Sequence, residues 1–183
     1  MEVNRIVERL FQKELLLYPT DTVWGIGGDA TNSQVVSRIF KLKKREDSKA
    51  LICLVDSLEM LREYVTHIPE KALRYIAEER PTTIIYEHSQ GLAHNLVAND
   101  GSIAIRIPKH KFCLELIKTF GKPIISTSAN LSGNTTPINF DAIETKILEG
   151  VDYVVPLQKE KIMNQSSRIL KINDAGMVQT IRP

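Results

Sequence analysis

Apolar positions recur with helical spacing at the start of the chain, where Val3, Ile6, Val7, Leu10 and Phe11 fall on one face of a helix predicted over residues 2–13. The pattern then changes. Leu15-Leu16-Leu17-Tyr18 is a continuous apolar run stopped by Pro19 and reads as a buried strand. Residues 20–32 carry three glycines and read as a loop. Asn32 or Ser33 caps a helix through Lys44 that turns Val35, Val36, Ile39, Phe40 and Leu42 inward. A second buried strand, 50–55, precedes two helical stretches near 57–65 and 69–79. Strands follow at 82–86 and 102–107, then a helix at 110–120 ended by Gly121. Ile124 to Thr127 is a strand running into Ser128-Ala129-Asn130, and residues 131–138 form a loop rich in Gly, Asn, Thr and Pro. A helix near 140–149 and strands near 153–155, 167–172 and 177–182 complete the chain. Asn173-Asp174-Ala175-Gly176 supplies a turn that would join the last two strands as a hairpin.

Strands and helices interleave without an internal repeat, a low-complexity segment or a visible linker. The expected class is therefore α/β, or α+β with a mixed sheet, in one domain spanning 1–183. Charged residues make up 25% of the chain and hydrophobic ones 43%, which excludes disordered and fibrous classes. The net charge of +2 is far from the polybasic footprint of a dedicated nucleic-acid binder. Cys53 and Cys113 lie inside apolar segments, too few for a disulfide framework and wrongly spaced for zinc, so both read as core residues in a reducing compartment. No stretch has the roughly 18 apolar residues of a membrane span, and the N-terminus lacks an apolar h-region. A cytoplasmic protein without membrane contact is expected.

Four segments could carry chemistry. Tyr18-Pro19-Thr20-Asp21-Thr22-Val23-Trp24-Gly25-Ile26-Gly27-Gly28-Asp29-Ala30 lies between a buried strand and a capped helix, where α/β folds place ligands. Its Gly25-Ile26-Gly27-Gly28-Asp29-Ala30 fits G-x-G-x-x-A only nominally, because Pro19 and polar residues separate the strand from the first glycine. Lys43-Lys44-Arg45, with Lys49 after it, is either a helix end whose cations oppose the macrodipole or a polyphosphate clamp. Lys43 and Arg45 share a side only if the helix has unwound there. Ser126-Thr127-Ser128-Ala129-Asn130-Leu131-Ser132-Gly133 offers hydroxyls and an amide after a strand, without the elbow or base a nucleophilic serine needs. Arg106 sits in an otherwise apolar strand; it is either an outward-facing residue or a carboxylate fork. His67, His88, His94 and His110 show no ligand spacing and read as surface or loop residues.

Together these segments resemble the YrdC-like family, the threonylcarbamoyl-AMP synthases. The resemblance rests on Y-P-T-D-T-V-x-G-I-G-x-D-A at 18–30, K-x-R at 43–45, I-A-I-R-I-P at 103–108 and S-T-S-A-N-L-S-G at 126–133, in that order along nearly the whole chain. It implies a twisted mixed sheet with flanking helices around a concave basic groove. It also implies a nucleotidyltransferase that joins L-threonine, bicarbonate and ATP, with Mg²⁺, into threonylcarbamoyl-AMP and pyrophosphate. A partner threonylcarbamoyl transferase then modifies tRNA. Carried over by position, Lys43, Arg45, Ser128 and Asn130 form the catalytic tetrad that holds nucleotide phosphates. Thr22, Arg106, Ser126 and Ser167 surround L-threonine, and Lys49, Ser102, Thr136 and Arg182 join Arg45 and Ser128 at ATP. Three places depart from the family pattern. Glu79-Arg80-Pro81 stands where members usually show Pro-Gly-Pro, Leu54 where some carry a histidine that contacts threonine, and Ser166-Ser167-Arg168 where a Ser-Thr pair usually precedes the strand. Two alternatives compete with the synthase: a paralogue of the same fold that does not make this intermediate, and a module that binds tRNA or duplex RNA. Intact K-x-R and S-A-N weigh against the first while the altered Pro-Gly-Pro loop weighs for it; low net charge and few aromatics weigh against the second.

Overall fold

The computed structural model describes residues 2–44 and 51–183. Helix α1 (Glu2–Phe11) leads into strand β1 (Leu16–Tyr18), β2 (Gly25–Gly27), α2 (Ser33–Lys43) and β3 (Ile52–Leu54). Next come α3 (Leu58–Tyr64), α4 (Glu70–Ala77), β4 (Thr82–Tyr86), β5 (Ile103–Arg106), α5 (Lys111–Phe120) and β6 (Ile124–Ser128). The chain ends with α6 (Thr145–Gly150), β7 (Tyr153–Val154), β8 (Arg168–Ile172) and β9 (Val178–Arg182). Among the described residues the strands form one nine-stranded mixed sheet in the order β7-β1-β2-β6-β3-β5-β4-β8-β9. The parallel pairs are β1–β7, β3–β5 and β4–β8; the others run antiparallel, including the β8–β9 hairpin that the turn residues predict. No helix among the described residues is long and apolar enough to cross a membrane.

Helix ends follow the local chemistry. The Asn32 side chain accepts the Gln34 and Val35 amides and caps α2, while Lys44 closes it in the left-handed region at φ 49°. Gly121 ends α5 in the same way, at φ 70°. Residues 140–149 are helical only from Thr145. Phe140, the first of them, packs instead against the buried indole of Trp24, with ring centroids 5.2 Å apart.

The segment read as a loop over 20–32 contains β2, which lies inside the sheet between β1 and β6. Gly-Ile-Gly offers a strand pattern only one side chain to work with. The packing explains the glycines. A Cβ on Gly27 would overlap the Ile125 carbonyl oxygen and come within 2.7 Å of the Tyr18 ring, and one on Gly25 would stand 3.2 Å from Ser126 Oγ. The Tyr18 hydroxyl donates to that same Ile125 carbonyl at 2.9 Å, and burial pushes its phenol above the usual range.

Side chains alternate across the central strands. Ile26, Cys53, Ile84, Ile103, Ile105 and Ile125 join the hydrophobic core. Ile52, Ile85, Ala104, Arg106, Ser126 and Ser128 fall on the other face and line a cavity. Both cysteines are free and buried, and burial pushes both thiols up, as inert core residues require. Gly27→Ala should destabilise the protein by about 3 kcal/mol, because neither a carbonyl nor a core tyrosine can yield. Denaturant titration followed by circular dichroism measures it; an unshifted midpoint would show that the β2 packing is not tight.

Candidate active site

The cavity has a volume of about 300 Å³ and is lined by residues from both ends of the sequence. Its first wall is the segment that follows β1. Thr20 Oγ1 accepts the Thr22 and Val23 amides at 3.0 and 3.2 Å and donates to the Val23 carbonyl at 2.7 Å, so one hydroxyl folds the backbone into a tight turn. The turn carries Thr22, buried and lining the cavity, with its own hydroxyl 2.9 Å from that of Thr20. It also carries Asp21, which forms an ion pair with Arg106 at the end of β5. Both side chains are nearly dry, with 2% of Arg106 and 6% of Asp21 exposed. The second Asp21 oxygen accepts the Lys109 amide at 2.8 Å, which fixes the carboxylate from behind. Arg106 spends an Nη1 hydrogen on Asp21, while its buried Nε has no partner among the described residues. Since the side chain lines the cavity, its guanidinium offers unspent donors there, the chemistry that suits an anionic group.

The second wall is the end of β6. Ser126, Thr127 and Ser128 line the cavity, and the chain turns at Ala129-Asn130. Helix α2 ends beside this turn. Lys43, 1% exposed, donates its ammonium to the Ser128 carbonyl and to the Asn130 carbonyl, the latter at 2.6 Å, while its own carbonyl accepts the Ser132 amide at 2.9 Å. Lys43 thus stitches the helix end to the turn and is not a lining residue. The Asn130 amide nitrogen donates to the Leu131 and Asn134 carbonyls, and its buried Oδ1 has no partner among the described residues. Glu144 braces the same loop by accepting the Asn134 side chain at 3.0 Å and the Leu131 amide at 3.3 Å, which lowers its carboxyl below the usual range, the Asn134 bond contributing most.

The third wall comes from the C-terminal hairpin. Ser167 is buried and Ser166 exposed, and both line the cavity. Arg182, at the end of β9, donates Nε to the Ser167 carbonyl at 2.9 Å and Nη2 to its hydroxyl at 3.2 Å. Burial, and then the neighbouring Arg106 cation, lower the Arg182 guanidinium from its ordinary value.

The structure therefore brings Thr22, Arg106, Ser126, Ser128, Thr136, Ser167 and Arg182 around one cavity, with Lys43 and Asn130 just behind it. Ser102 is elsewhere: it precedes β5, whereas Arg106 ends it, and its hydroxyl donates to Asp100 at 2.6 Å. Arg45 and Lys49 lie outside the described residues. Leu54 is buried in the core, with no side-chain polarity to offer. Arg106 is not the outward-facing residue its strand position allowed. His110, read as a surface or loop histidine, is buried at the start of α5 with Nε2 3.1 Å from Gln158 Oε1. Two polar contributors were not singled out from the sequence, Asp21 as the partner of Arg106 and Thr83 as that of Ser167. Asp21 sat inside a motif already noticed; Thr83 carried no signal beyond a polar residue in a strand.

The sequence profile of the family described as Sua5_yciO_yrdC, Telomere recombination, matches residues 8–183. A protein of Pseudoalteromonas translucida named threonylcarbamoyl-AMP synthase is 34% identical over 150 residues, 80% of each chain. This chain belongs to the Sua5/YciO/YrdC family. A Methanocaldococcus jannaschii member, named putative threonylcarbamoyl-AMP synthase, is 34% identical over 184 residues, 97% of this chain and 86% of its own. The fold agrees with that of P. abyssi Sua5 at a TM-score of 0.89 and 24% identity, over 99% of this chain and 56% of that one. With the same protein complexed with L-threonine the TM-score is 0.84 at 24% identity, over 92% and 50%. The chain thus spans about half the length of Sua5, and the likeness to Sua5 speaks for the fold.

In this Sua5/YciO/YrdC chain the Lys43 anchor has a direct consequence. Lys43→Met keeps the bulk of the side chain and removes its hydrogen bonds. Amide exchange at Asn130 and Ser132 should then accelerate about tenfold or more, while β5 amides keep their protection. Unchanged exchange at both amides would show that the turn holds itself.

Proposed function

We propose that this chain is an L-threonylcarbamoyladenylate synthase: it converts L-threonine, bicarbonate and ATP into threonylcarbamoyl-AMP and pyrophosphate. The observation that carries the reading is the buried Arg106, fixed by Asp21 and lining a cavity of about 300 Å³ among hydroxyls. The identity to proteins named threonylcarbamoyl-AMP synthase supports it, as does the shared fold with a Sua5 that was crystallised with L-threonine.

The chemistry asks for what these residues offer. The neutral amine of threonine attacks the carbon of bicarbonate, and water is lost as the carbamate forms. A carbamate oxygen then attacks the α-phosphorus of ATP, and the bond to the β-phosphate oxygen breaks to release pyrophosphate. Neither step needs a protein nucleophile; both need fixed reactants and neutralised phosphate charge. Arg106 would fork the threonine carboxylate, and Thr22, Ser126 and Ser167 would bond its remaining polar atoms. Ser128, Thr136 and Arg182, which line the same cavity, would meet ATP, together with Arg45 and Lys49. Lys43 would act at one remove, by shaping the turn that presents Ser128 and Asn130.

Mg²⁺ is expected with the phosphates of ATP. Among the described residues no group of three or more His, Cys, Asp or Glu could hold a metal ion, and Asp21 is committed to Arg106 and Lys109. The described donor set does not form a dedicated metal site, and no step is assigned to one. The product, a reactive mixed anhydride, would pass to a threonylcarbamoyl transferase acting on tRNA.

Pyrophosphate release by the purified protein tests the reading. It should require both threonine and bicarbonate and should prefer threonine to serine, because a site built to bond a substrate's groups discriminates among analogues. Release indifferent to threonine would overturn it. Arg106→Ala should raise KM for threonine at least about tenfold, since a charge-assisted fork is lost. An unchanged KM would show that the guanidinium does not meet the carboxylate.

A further inference from the structure

We infer that Thr83 is a positioning residue that turns the Ser167 hydroxyl into a hydrogen-bond donor toward an oxygen of the amino-acid substrate. The inference rests on the threonine reading above. Thr83 lies in β4, pairs in register with Ile169 of β8, and is 0% exposed. Its hydroxyl lies 2.8 Å from that of Ser167, its one hydrogen-bond partner among the described residues.

The direction of that bond follows from counting donors. Ser167 Oγ already accepts Nη2 of Arg182 at 3.2 Å, and a guanidinium can only donate. If Ser167 gave its proton to Thr83, the Thr83 hydrogen would be left in the dry interior with nothing to meet. If Thr83 gives its proton to Ser167, the hydrogen left over is that of Ser167, which lines the cavity, and Thr83 keeps only an unused lone pair in the interior. An unpaired buried donor is the rarer and worse outcome. The second arrangement therefore prevails. Ser167 Oγ then accepts two hydrogen bonds, one from Thr83 and one from Arg182, and its own O–H is the group left over. Ser167 lines the cavity, so that proton is available to an acceptor there. It suits a carboxylate, carbamate or hydroxyl oxygen and repels no anion, whereas an ammonium could not use it.

The test compares Thr83→Val, which keeps the shape and removes the hydroxyl, with Thr83→Ser, which keeps the hydroxyl. In threonine-dependent pyrophosphate release, Thr83→Val should raise KM for threonine about fivefold to tenfold. Its kcat, and its KM for ATP, should stay within about twofold, and Thr83→Ser should restore the threonine KM. Because Thr83 acts through Ser167, adding Thr83→Val to Ser167→Ala should raise KM no further than Ser167→Ala alone. Should the valine variant fail to fold by circular dichroism, Thr83→Ala carries the same comparison. A threonine KM that stays at the wild-type value in Thr83→Val, or effects that multiply in the double variant, would overturn the inference. Wild-type protein without threonine-dependent release would overturn the synthase reading itself, and the two failures are told apart by that control.

Discussion

An ammonium taken out of water must find oxygen acceptors that replace its hydration, and Lys43 finds them in the carbonyls of Ser128 and Asn130. It is also the last residue of α2, where the helix's own carbonyls place partial negative charge. One buried cation therefore fixes the distance between the end of a helix and the end of the central strand β6. Much of the site depends on that distance. The turn carries Ser128 and Asn130, β6 carries Ser126, and β2 packs between β6 and β1 tightly enough that only glycine fits at position 27. The left-handed Lys44 then ends the helix right after the anchor.

The pleat supplies the rest of the layout. Period-two alternation forces every central strand to divide its side chains between two faces. The core side of these strands takes isoleucine and cysteine, while the other side mixes Ile52 and Ile85 with serine, alanine, glycine and arginine. Small residues at 25 and 104 leave room, and the polar residues at 106, 126 and 128 supply donors around it. Arg106 is a large charged group on a central strand of this inner surface, and it is tolerated because Asp21 meets it there and the Lys109 amide holds Asp21 in turn.

How much of this was legible varies by element, for physical reasons. Capped helices such as α2, and strands such as β4 and β5, announce themselves through hydrophobic spacing and local end signals. Strand β2 did not, because two of its three residues have no side chain and the pressure that selects them comes from Tyr18 and Ile125. The role of Arg106 was undecidable in its own strand; its partner stands 85 residues upstream. Lys43 looked like a solvated helix-end cation because the carbonyls that enclose it belong to a turn 85 residues away. Ser102 entered the site only through the family resemblance; it stands at the opposite end of β5 from Arg106, and its hydroxyl donates to Asp100. Motif order identified the neighbourhood, while long-range pairing decided which residues face the cavity and which support it.

The charge balance of the cavity explains why hydroxyls, rather than titratable bases, dominate it. Arg106 and Arg182 both line it, and like charges so placed raise each other's electrostatic cost; burial first, and then Arg106, lower the Arg182 guanidinium. Asp21 compensates one of them, so the described lining carries an uncompensated positive charge that an anionic ligand would relieve. A general base placed among these residues would either pair with a guanidinium, as Asp21 does, or compete with the substrate for it. Serine and threonine avoid that conflict. They add directional hydrogen bonds without net charge, and their polarity is set by fixed neighbours such as Arg182, which can only donate. A site of this kind is suited to selecting and orienting anions, and in the proposed reaction it would supply position and charge neutralisation rather than a base or a nucleophile.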